Sequence, residues 1–154
     1  MSVFLANEQS TDVEVDPLRH LAELVVAEEG YPDSTEITIL LVNPQEMAGY
    51  NKRFLKRDGP TDVLAFPVEE LLPGVVPEHD VHWPPIMLGD VIIAPAYVTT
   101  QAIEFEVDFE DEMALMVTHG ILHLLGYDHE IDEDAERMER RERELLNKVG
   151  RVRR

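Results

Sequence analysis

The segment Thr118 to His129, T-H-G-I-L-H-L-L-G-Y-D-H, constrains this chain more than any other stretch. It sets three histidines at H-x3-H-x5-H among apolar side chains and two glycines. Residues four apart share one face of an α-helix, so His119 and His123 can offer both imidazoles to one ion without bending the backbone. His129 requires the chain to turn. Gly126 suits that turn, because glycine takes the left-handed conformation that closes a helix and lets the chain return. Imidazole suits zinc, and three protein ligands leave a fourth tetrahedral position to water, as in a catalytic rather than a closed structural site. Without a metal these are three separately hydrogen-bonded histidines, but the helical spacing combined with the glycine return favours a ligand set. His20, in an amphipathic helical pattern, and His79 and His82, in a proline-rich loop, are expected to be solvent-facing or structural.

The chain has no cysteine, so there is no disulfide and no thiol nucleophile, and any zinc must rely on nitrogen and oxygen. Its 154 residues, 44% of them hydrophobic, can bury a sizeable core, and the expectation is a single domain over residues 1–154. No apolar run is long enough to cross a bilayer, and Met1 to Gln9 lacks a basic segment and a long apolar stretch, so the reading is a soluble cytoplasmic protein without a membrane partner. A formal charge of -19 repels nucleic acid and anionic membranes at long range. The charge is uneven, however. Acids crowd into Glu104 to Glu112 and Glu130 to Glu144, whereas Lys52, Arg53, Lys56 and Arg57 form a compact basic group, either an RNA-binding face or a solvated one. A second basic group, Lys148, Arg151, Arg153 and Arg154, reads as a flexible tail. The acidic surface is also compatible with a salty cytoplasm.

Along the chain, Val3 to Leu5 fits a short strand, and Asp16-Pro17 opens a helix that Gly30 closes. Glu36 to Val42 alternates and then becomes apolar throughout, as a buried strand would. Asn43-Pro44 with Glu46 makes a capping box, and Met47, Tyr50 and Phe54 line the face expected to pack inward. Asp62 to Phe66 and Met87 to Ile93 read as strands separated by a proline-rich loop, a lid or plain surface. Pro95 starts a helix toward Glu106, the histidine-bearing helix runs from about Phe109 to Leu125 and should be largely buried, and Asp132 caps a last helix ending before Gly150. The expected fold is α+β: a small mixed sheet of about four strands packed with about five helices.

The motif H-G-x-L-H-L-x-G-Y-D-H resembles the signature of the YbeY family of bacterial endoribonucleases. Further segments resemble the same family: Pro60-Thr61-Asp62-Val63-Leu64-Ala65-Phe66-Pro67, Leu88-Gly89-Asp90-Val91, Gln101-Ala102 and the acidic final helix. They extend from roughly Asn51 to Leu146, in order. The resemblance implies a mixed α/β layer with one Zn2+ per chain in a cleft, held by His119, His123 and His129. It also implies zinc-dependent, single-strand-specific cleavage of RNA in ribosomal RNA maturation, including 16S 3′ end processing, and in ribosome quality control. The implied partners are ribosomal RNA on ribosomal particles and ribosomal or assembly proteins. Two positions depart from the pattern: Leu55 stands where many members carry arginine, and Ala65 where serine is frequent.

In this reading a zinc-activated water is the nucleophile, Lys56 and Arg57 are the candidate phosphate contacts, and Lys52 and Arg53 are further RNA-binding candidates. A metzincin-like metallopeptidase shares the ligand spacing, but Gly120 stands where those enzymes carry a glutamate base. Asp128 and Glu130, the substitutes at hand, read better as turn and helix-entry acids. The third reading is a non-catalytic ribosome-assembly factor with structural zinc, which would follow if Asp128 closed the fourth position.

Overall fold

A computed structural model describes residues 2–154. Strands β1 (Ser2–Glu8), β2 (Glu36–Val42), β3 (Val63–Pro67) and β4 (Met87–Ile93) form one sheet in the order β1-β2-β4-β3. The first three in that order are parallel and β3 runs antiparallel to β4. Helices α1 (Val15–Glu28), α2 (Pro44–Leu55), α3 (Pro95–Phe105), α4 (Phe109–Leu124) and α5 (Asp132–Lys148) complete the α+β fold. Four strands and five helices match the expectation from the sequence.

The sheet is covered on both faces, which explains why β2 turns apolar throughout. Ile37, Ile39 and Leu41 enter the main core with α1 and α4, whereas Val42 joins a smaller core with Met47 of α2, and Leu40 packs against it. Successive strand side chains point to opposite faces, so a strand with two covered faces loses its polar alternation. Val91 and Ile93 against Ile92 repeat the pattern on β4. The central element is α4, buried from Glu112 to Thr118 and again over Gly120 to Leu122. Each large apolar side chain removed from water there contributes about 1.5–3 kcal/mol.

Local signals set most element ends. Asn43 Oδ1 accepts a hydrogen bond from the Glu46 backbone N–H at 2.8 Å, and Pro44 follows at the first helical position. Elsewhere the sequence misleads. α1 begins at Val15 with Glu14 as its cap residue, and Asp16 does not cap but pairs with Arg19 at 2.7 Å. Val13 and Val15 pack against the main core, which draws the helix start upstream, and Pro17 is tolerated because a first-turn N–H has no helical partner. Phe54, expected to pack inward, is 52% exposed, while Asn51 is buried with its side chain donating to the Gly59 carbonyl at 3.0 Å.

The loop read as a lid or plain surface and the basic group read as a flexible tail are both tied down. The loop after β3 packs its Leu71 carbonyl against the turn at Gly126, and Arg137 donates to the Pro73 carbonyl at 3.3 Å. The chain beyond α5 is not a free tail: Arg151, Arg153 and Arg154 pair with Asp111, Glu142 and Glu112. Those carboxylates are partly or fully buried and need cations. Among the described residues, no helix is long and apolar enough to cross a membrane.

Candidate metal centre

The geometry of α4 delivers His119 and His123 side by side, their Nε2 atoms 3.0 Å apart. The helix then ends at Leu125, and Gly126 takes a φ of 100°, outside the range favoured by residues with a side chain. A β-carbon at Gly126 would also collide with the Leu71 carbonyl, so glycine is required on both counts. The reversal brings His129 back over the helix end. One ring nitrogen from each of the three histidines lies within 4.8 Å of the others, so the trio could hold a metal ion.

The outward-facing nitrogens assign the tautomers. His123 Nδ1 lies 2.9 Å from the Tyr127 carbonyl, which can only accept, so Nδ1 carries the hydrogen and Nε2 presents a lone pair. Burial, reinforced by the neighbouring His119, lowers the His123 pKa to about 4, so the ring is neutral at pH 7. His119 Nδ1 donates to Glu142 Oε2 at 2.8 Å. Burial works against charge on Glu142, but hydrogen bonds and positive charge from His119 and Arg153 prevail and hold its carboxyl below the usual carboxylate range. With both Nδ1 positions committed to acceptors, the two Nε2 atoms point at each other across 3.0 Å, a gap that a shared proton or a bound cation can fill. Two nitrogens about 2.0–2.1 Å from a tetrahedral zinc lie ~3.3 Å apart, close to the spacing in the protein. The donor set therefore fits zinc, and its partners are those that metal-bound imidazoles use.

The trio forms part of the wall of a cleft of about 710 Å³. Residues 61–65, at the start of β3, line another part, together with Leu55 and Arg57 after α2 and Arg153 and Arg154 beyond α5. Of the four basic residues read as an RNA face, Arg57 alone lines this cleft. Lys52 and Arg53 are exposed on the last turn of α2, with Arg53 over the rings of Tyr50 and Phe54, and the Lys56 ammonium turns back to the Arg53 carbonyl at 3.5 Å. His20, His79 and His82 are exposed and stand apart.

Gly120 bears on the peptidase alternative. A β-carbon there would run into Val91 Cγ1 and approach Val63 Cγ2 to 3.3 Å, because α4 lies directly on β3 and β4. A glutamate cannot occupy that position without forcing the Val91 side chain aside. Asp128 accepts the His129 backbone N–H at 2.7 Å and is exposed, which is the turn role read from the sequence.

Two buried carboxylates were missed in the sequence, Glu142 and Glu112, each 1% exposed. A signal was present. Glu142 shares the apolar stripe of α5 with Met138 and Leu145, and Glu112 falls on the same α4 stripe as Met116, His119 and His123. An acid on an apolar stripe needs a partner, and runs of glutamate around both positions obscured that requirement.

Comparison with known proteins agrees with this construction. The family model described as Endoribonuclease YbeY matches residues 4–150. The endoribonuclease YbeY of Acidothermus cellulolyticus is 45% identical over 138 residues, covering 89% of this chain and 84% of that protein. That of Nocardia farcinica is 38% identical over 90% of this chain and 74% of its own length. The solution structure of TM1509 from Thermotoga maritima superimposes with a TM-score of 0.62 at 30% identity, covering 96% of this chain and 91% of that one. Matched along nearly its whole length at these identities, the chain belongs to the YbeY endoribonuclease family.

Proposed function

We propose that residues 1–154 form a single zinc-dependent endoribonuclease domain that cleaves single-stranded RNA, with His119, His123 and His129 holding one Zn2+. The observation that carries this reading is the opposed pair of Nε2 atoms 3.0 Å apart, each fixed by a hydrogen bond on the far side of its ring. Family membership supplies the reaction class. When bound, zinc supplies Lewis acidity that brings the pKa of a coordinated water to about 7, from about 15.7 in bulk.

The chain's own residues do the rest. Tyr127 and Glu142 hold two imidazoles in orientation, so no rearrangement is needed to present their lone pairs. His129 is exposed at the cleft edge and leaves room for substrate beside it. Arg57, which lines the cleft, offers positive charge to a backbone phosphate, with exposed Lys56 next to it in the chain and Lys52 and Arg53 one turn earlier on α2. The chain's net charge of -19 opposes adventitious RNA binding, which favours RNA presented on a particle over free duplex. The sequence resemblance extends this reading to a cytoplasmic role in ribosomal RNA maturation, including the 3′ end of 16S RNA, and in ribosome quality control, with ribosomal or assembly proteins as partners.

The test compares cleavage of single-stranded and duplex RNA by the purified protein, before chelation, after it, and after zinc is returned. Single-strand cleavage lost on chelation and restored by zinc is the expected result. Equal cleavage of both substrates, or cleavage indifferent to chelation, would contradict the reading.

A further inference from the structure

Arg154 stands out among the cations of the cleft because it is held on two sides with part of its donor set unspent. Its Nε donates to both carboxylate oxygens of Glu112, at 2.9 and 3.0 Å. Glu112 is 1% exposed and fixed in turn by Gln101 Nε2 at 2.7 Å. The guanidinium carbon lies 3.8 Å from the centre of the Phe105 ring, so one face of the guanidinium is stacked. Among the described residues, neither Nη of Arg154 makes a hydrogen bond. Arg153 differs: its Nε serves Glu142, one Nη donates to the Arg154 carbonyl and the other lies 3.7 Å from Glu139.

We propose that Arg154 is a phosphate-binding residue of the histidine cleft, taking a backbone phosphate of single-stranded RNA through its two Nη groups. The inference rests on the endoribonuclease reading and adds to it a contact from beyond the last helix. A guanidinium presents a planar fork that matches two phosphate oxygens, and one already immobilised loses little further freedom on binding. Arg154 lines the same cleft as His119 and His123, and its side chain keeps 30% exposure despite its two anchors.

The test measures binding of a 2′-O-methyl single-stranded RNA oligonucleotide, which resists hydrolysis, from about 50 to 200 mM salt, alongside cleavage of the unmodified strand. The proteins are wild type, Arg154→Ala, the double variant Arg154→Ala with Glu112→Gln, and Lys148→Ala. The double variant removes the carboxylate that the single change orphans, and melting of each protein monitors folding. Arg154→Ala and the double variant are expected to bind about tenfold more weakly or worse. The slope of log affinity against log salt should fall by about 0.7 in both. Lys148, whose side chain faces Glu28 at 3.7 Å, should behave as wild type when replaced. Wild-type affinity and slope in the double variant would overturn the proposal by reducing Arg154 to an anchor, while cleavage by the wild type would keep the nuclease reading intact. A wild type that neither binds nor cleaves single strands would overturn both.

Discussion

His119 Nδ1 donates to Glu142 Oε2 at 2.8 Å, and the carboxylate that receives it is 1% exposed. A helix outside the histidine motif therefore fixes the orientation of the first candidate ligand. Glu142→Gln keeps the shape and removes the charge, and such a change behind a ligand typically costs about 10–100-fold in metal affinity. Competition with a chelator of known affinity measures it. Unchanged affinity would show that the Glu142 charge does not tune the ligand.

Gly126→Ala should be among the most damaging single changes. It forces a side chain into a sparsely populated conformation, costing about 1–3 kcal/mol, and drives the new methyl into the Leu71 carbonyl. Denaturant unfolding reads the stability, and zinc content should fall with it because His129 depends on that turn.

Gly120→Glu installs the base of a peptidase but should yield none. The new side chain meets Val91 and Val63, so a stability loss of about 1–3 kcal/mol or more is expected without peptide release from an unfolded substrate. Release of chelator-sensitive peptide fragments by this variant would reopen the alternative.

Removal of the metal should destabilise the fold. A ligand present at about 100 times its dissociation constant stabilises the native state by ~2.7 kcal/mol. For a chain of this length, chelation should lower the Tm by roughly 5–10 °C. Calorimetry with and without chelator tests this, and coincident curves would mean that the histidines hold nothing.

Tyr127 gives an alkaline signature. Its hydroxyl donates to Glu29 at 2.9 Å, and burial, followed by the Glu29 charge, raises its pKa to about 12 against partial opposition from Arg137 and Arg141. A group whose pKa is raised by folding stabilises fully below its unfolded value of about 10, and that contribution is lost as pH climbs toward 12. Wild type should therefore lose more stability than Tyr127→Phe between about pH 9.5 and 11.5. Parallel losses in urea melts would contradict the assignment.

The parts of the fold that local chemistry decides were legible in the sequence. Asn43-Pro44-x-Glu46 carries its own helix start, Glu36 to Val42 its burial, and the histidine spacing with Gly126 its helix and return. What escaped depends on packing between distant segments. Val13 and Val15 pull α1 upstream of Asp16, and Phe54 faces solvent while Asn51 turns inward. Glu112 and Glu142 look like solvated acids until Arg154 and Arg153, read as a loose tail, are seen closing on them. Charge runs hide such pairs, because pattern alone does not say which acid of a run is buried.

The central claim is that His119, His123 and His129 bind one zinc that RNA cleavage requires. Zinc stoichiometry and single-stranded RNA cleavage, measured on the same samples of wild type and the His119→Ala, His123→Ala double variant, test it most directly. The account predicts one zinc per chain with cleavage in the wild type, and neither in the variant. Retention of both zinc and cleavage by the variant would contradict it.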